Sequence, residues 1–149
     1  MANGPTHTLV GVIAGTGAAV LTSKDQPTPC RFLEAAGGAL GGYLGGKLPD
    51  ILEPATSSWH RSTAHSFSAA AMVGTGLAKV DIFQNYCRQR ADHFATVRAA
   101  MPEGGIGGLL HLLAEAFWRL CAGFAAGLAA GYLSHLALDA LTPRCIPII

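Results

Sequence analysis

The chain has 149 residues, of which 50% are hydrophobic and only 13% charged, with a net charge of +1. That length fits one domain, the apolar share excludes a disordered chain, and the near-neutral balance argues against a general nucleic-acid binder, which needs a basic excess. Nineteen glycines beside only 7% aromatic residues point to tightly packed helices, of the kind small residues permit in a membrane.

The elements follow in chain order. Met1 to Thr8 carries no basic run and is not expected to be a cleaved signal peptide. The first apolar stretch, Thr8 to Ser23, holds no charge over 16 residues, and Lys24–Pro29 (KDQPTP) reads as a turn. The second stretch runs from Ala35 to Gly46, and Leu48 to Trp59 reads as a loop with two prolines. The third, Ser62 to Ala78, has only His65 ionisable. Lys79 to Gly105 is the most charged segment and reads as a solvated amphipathic loop, broken at Pro102, Gly104 and Gly105. A weaker piece, Ile106 to Trp118, leads into the fourth stretch, Leu120 to Leu138, which has only His135 ionisable. Pro143 and Pro147 exclude a helix at the end.

Stretches of 12 to 19 residues exceed the usual strand length of about 10, and alanine and leucine favour helix. The glycines recur every four residues: Gly37, Gly41, Gly45; Gly38, Gly42, Gly46; Gly123, Gly127, Gly131. In a helix such positions share one face and let backbones approach closely. A bilayer span takes about 20 apolar residues, and the first stretch reaches only about 24 Å. Short membrane spans and the core of a very apolar soluble bundle both fit.

The expected fold is therefore all-α, an up-and-down bundle of about four glycine-rich helices in one domain, membrane-embedded on the first of those readings. Alternating direction places His7, Asp50, Glu53, His60, Arg61, His65, His135 and Asp139 at one end. The other end collects Lys24, Asp25, Arg31, Lys79 and the charged segment. His135 and Asp139 are four apart and share one face. Stepping back by four from His135 reaches Gly131, Gly127 and Gly123, so the packing stripe would bury both polar groups. Buried charge is costly unless paired or metal-bound. Imidazoles with carboxylates suit zinc, and also manganese or iron. The ligands exceed one tetrahedral shell, so two ions, or one ion with acid–base groups, both fit. Metal ligands are expected among His7, Asp50, Glu53, His65, His135 and Asp139. His60 is expected as a ligand or general acid, and Arg61 as a clamp on an anionic oxygen such as a phosphate. His93 and His111 lack matching partners and are read as non-functional. Cys30, Cys87, Cys121 and Cys145 form no CxxC pair and are read as reduced.

The elements Thr6-His7, Leu48-Pro49-Asp50, His60-Arg61-x-x-Ala64-His65-Ser66 and Gly131-x-x-Ser134-His135-x-x-x-Asp139-x-x-Thr142-Pro143 resemble the family described as LexA-binding, inner-membrane-associated metal-dependent hydrolases. The chain departs from that pattern at Glu53, which stands three residues after Asp50 instead of two, and at Ala64, where the family has threonine. The HxxxD element is also similar to one in zinc-dependent phospholipases C. The resemblance implies a multi-pass bacterial inner-membrane protein that hydrolyses a phosphoester of a lipid-like substrate through a metal-activated water, with a protein regulator as a further partner. Two alternatives stay open: a non-catalytic membrane protein with a structural metal and a regulatory partner, and a soluble nuclease-like metallohydrolase.

Overall fold

A computed structural model describes residues 4–53, 66–102 and 105–141. Five helices account for most of them, and no strand occurs among the described residues: α1 (Gly4–Thr22), α2 (Thr28–Gly45), the one-turn α3 (Leu48–Leu52), α4 (Phe67–Ala99) and α5 (Ile106–Ala140). The four long helices run up, down, up and down. Gly11 and Gly15 of α1 meet Gly42 and Gly38 of α2, so these two are antiparallel, while Gly37, Gly41 and Gly45 of α2 meet Leu120, Phe124 and Leu128 of α5 in parallel. Gln84 of α4 reaches Ala122, and Arg98 reaches Glu115, so α4 and α5 are antiparallel.

Two segments differ from the sequence expectation. Helix α2 starts at Thr28, not Ala35, because Pro27 caps it and Pro29 sits in the first turn, where a missing N–H costs nothing. Glu34 and Arg31 thereby become helical. The expected charged loop from Lys79 is the second half of α4, which continues to Ala99. No glycine or proline interrupts it between Gly76 and Pro102, and charge alone does not break a helix that packs on one face. The weak piece from Ile106 does lead into the fourth apolar stretch, and the two are one helix of 35 residues, about 52 Å long.

The interior is built from small residues. Every buried position of α1, namely His7, Gly11, Gly15 and Ala19, falls on one four-residue stripe. Helix α2 carries two stripes and is packed on both sides: Gly38 and Gly42 abut α1, while Gly37, Gly41 and Gly45 abut α5. A methyl group at Gly41 would overlap the Phe124 carbonyl oxygen, and one at Gly127 the Gly38 carbonyl oxygen. These backbones touch with no room for a side chain, which is the small-residue packing of membrane helices.

Large apolar side chains lie outside instead. Leu9, Ile13, Leu21, Phe32 and Leu40 are exposed, whereas the largest fully buried side chains include His135, Gln84, Glu34 and Asp139. That inverts the usual distribution and suits an apolar surrounding. Helices α1 and α5 are each long and apolar enough to cross a membrane.

Candidate metal centre

The stripes deliver polar groups to their ends. On α1, one step of four before Gly11 is His7, in the first helical turn and 4% exposed. On α5, one step after Gly131 is His135, and the next is Asp139, at 0% and 1% exposure. Gly46 caps the end of α2, and α3 follows at Leu48, with Pro49 and Asp50 in its first turn. Asp50 there approaches His135 of α5.

His135 Nδ1 donates a hydrogen bond to the Gly46 carbonyl at 2.7 Å. A carbonyl only accepts, so Nδ1 carries a proton and Nε2 is the ring nitrogen that faces the carboxylates. Nε2 lies 3.4 Å from Asp139 Oδ2 and 3.7 Å from Asp50 Oδ1. Asp139 Oδ1 lies 3.6 Å from His7 Nε2. The two imidazole rings stack, with centroids 3.9 Å apart and planes inclined by 26°. One ligand atom from each of His7, His135 and Asp139 falls within 4.8 Å of the others.

The donor set fits a divalent cation. Neighbouring ligand atoms around tetrahedral zinc stand roughly 3.3 Å apart, given metal–ligand bonds of about 2.0 Å, close to the 3.4–3.7 Å separations here. Two carboxylates beside two imidazoles gather negative charge, which an apolar surrounding disfavours unless a cation or protons balance it. The carbonyl holding Nδ1 also fixes the ring, as outer partners of metal-bound histidines do.

Of the sequence-predicted residues, the fold thus brings together His7, Asp50, His135 and Asp139. Glu53 is the C-cap residue of α3, where the chain leaves helical geometry at φ −128° and ψ 79°. His60, Arg61 and His65 lie outside the described residues. His111 is engaged by its own helix through Gly107, consistent with a local role. Cys30, Cys87 and Cys121 are free thiols, as expected.

A second buried polar cluster, which sequence reading missed, occupies the opposite end. Glu34 of α2 is fully buried and is gripped by Arg88 of α4 through Nε at 3.1 and 3.2 Å and Nη2 at 2.6 Å. Arg119 of α5, 3% exposed, lies 3.6 Å from Glu34 and binds Gln26 and Asp92. Gln84 bridges Thr22 and the Ala122 carbonyl. The signal for it was present: Arg119 stands four before Gly123, and Glu34 four before Gly38. The stripes run on past the glycines at both ends. Arg119 and His135 are 16 residues apart, so about 24 Å of apolar, small-residue bundle separates the clusters.

An all-helical bundle with an apolar exterior, a glycine interior and ionisable groups buried at both ends has the chemistry of a membrane protein. A family model matches residues 1–149, and the chain belongs to that family, the YdjM inner membrane proteins. No curated protein and no solved structure gives a match.

Proposed function

We propose that the protein is a multi-pass inner-membrane, metal-dependent hydrolase acting on a phosphoester of a lipid-like substrate. The supporting observation is the convergence of His7, Asp50, His135 and Asp139 from three separate helices onto a space of cation size. Ionisable groups at membrane depth are functional candidates by default. His7, His135 and Asp139 would hold the ion, and Asp50, whose side chain is 44% exposed, would face the substrate side. A divalent ion held there supplies Lewis acidity and lowers the pKa of its bound water toward neutrality. Zinc suits the donor set best, with manganese and iron as alternatives, in one or two sites. Gly46 orients His135, and the stacked His7 ring limits its rotation. His65 is the expected additional ligand, with His60 as ligand or acid and Arg61 as the phosphate clamp. The positive-inside tendency turns this end outward, since Arg88, Arg90, Arg98 and Lys24 gather at the other.

A second reading is favoured by the near-complete burial of His7, His135 and Asp139: a non-catalytic protein in which the ion clamps α1 to α5 and a regulatory partner binds elsewhere. Metal analysis of the purified protein, with His135→Ala and Asp139→Ala as controls, tests both. Stoichiometric metal lost in both variants, together with metal-dependent hydrolysis of a chromogenic phosphodiester, supports the enzyme. Stoichiometric metal without hydrolysis supports the clamp, and no metal in the wild type overturns both.

A further inference from the structure

The cluster has a side entrance. An open groove of about 700 Å³ runs between the start of α1 and α3, lined by Thr8, Leu9, Val12, Lys47, Asp50 and Ile51 among others. Asp50 lines it, and its carboxylate lies 3.7 Å from His135 Nε2. Of the four grouped residues, Asp50 alone is substantially exposed, so the groove is where the cluster meets its surroundings. Its apolar wall is continuous with the exterior: Leu9 and Ile51 are 62% and 61% exposed, and Ile13 extends the same face one turn along α1. Lys47 stands on its rim. Its ammonium donates to the Tyr43 hydroxyl at 2.6 Å and sits 4.3 Å over the Tyr43 ring, which holds the charge in place.

An apolar trough on the exterior of the bundle, with a positioned cation on its rim, is complementary to one class of molecule. We propose that the groove admits an anionic phospholipid sideways from the bilayer, its acyl chain along Leu9, Val12 and Ile51 and its phosphate at Lys47 beside Asp50. This assigns the substrate class and its direction of entry, and it rests on the reading of the cluster as the reaction centre. A soluble phosphoester would gain nothing from the apolar wall. A zwitterionic lipid would draw less from Lys47, because a surface cation favours anionic headgroups.

The test uses the full chain in lipid nanodiscs containing phosphatidylglycerol with a photoactivatable group on its acyl chain. Crosslinks should concentrate on residues 8–13 and 51. Val12→Trp and Ile51→Trp, which fill the trough from either side, should each remove most of that labelling. Lys47→Glu should lower it by about fivefold and abolish the preference over phosphatidylcholine. His135→Ala should lose metal yet keep the labelling, so the two readings fail separately: a wild type without metal but with a labelled groove overturns the hydrolase alone. Labelling spread evenly over the exposed faces of α1 and α5, or unchanged in both tryptophan variants, overturns the lipid groove. Displacement of the label by millimolar inorganic phosphate alone would also overturn it, by showing a soluble-anion site.

Discussion

The hydrogen bond from His135 Nδ1 to the Gly46 carbonyl ties the packing of the bundle to its polar end. Gly46 closes the glycine series of α2 that abuts α1, and its position is set by backbone contact with His7 and Gly11. A side chain anywhere along that series would move the carbonyl, and with it the ring.

Backbone contact of this kind makes a sharp prediction for alanine. Gly127→Ala would drive a methyl group into the Gly38 carbonyl, and overpacking of a close interface costs about 1–3 kcal/mol. At Gly17 an added methyl group would meet nothing within 4 Å. That position should tolerate alanine or gain up to about 1 kcal/mol from helix propensity. Thermal unfolding in detergent should lower the midpoint for the first and leave or raise it for the second.

The Glu34 cluster should behave as a buried charge network. Glu34→Ala leaves Arg88 and Arg119 facing each other without their shared carboxylate, a change that costs about 3–5 kcal/mol when buried. Arg98→Ala breaks a pair whose arginine is 41% exposed and should cost less than about 1 kcal/mol. Chemical unfolding of the two variants should separate them clearly; equal midpoints would show that the cluster is solvated.

Metal retention should follow the geometry of the four grouped residues. Asp139→Asn keeps the shape but removes the charge shared with both imidazoles, and should lower zinc affinity by at least about tenfold. Arg31→Ala, at the far end, should leave it unchanged. Elemental analysis after competition with a chelator reads both.

Orientation is testable with an impermeant maleimide on a background whose four cysteines are replaced by alanine. Asp25→Cys, at the positively charged end, should label only after the cytoplasmic side is opened, and Thr6→Cys should label in intact cells. The reverse pattern would place the metal end inward.

How much was legible in the chain follows from the stripes. Four-residue glycine spacing predicts which faces meet, and alternating direction carries His7, Asp50, His135 and Asp139 to one end, where the fold assembles them. Glu34 and Arg119 were hidden because each sits just outside an apolar stretch, before Ala35 and before Leu120, and a charge at such an edge is read as water-facing. Their spacing of four from Gly38 and Gly123 overrides that inference, because a face that holds glycine against backbone stays buried one turn further on. Helix α4 was underestimated for the same reason, since its polar second half packs on α5 through Cys87 and Ala91, both fully buried.

The central place of α5 bears on how the chain comes to be assembled. Helices α1 and α2 are made before α5, yet each leaves part of its narrow seam open until α5 slots in beside them. Half the imidazole–carboxylate group also travels on that segment. During synthesis the early hairpin is therefore a waiting cradle, and His7 and Asp50 gain His135 and Asp139 as neighbours only once α5 has docked.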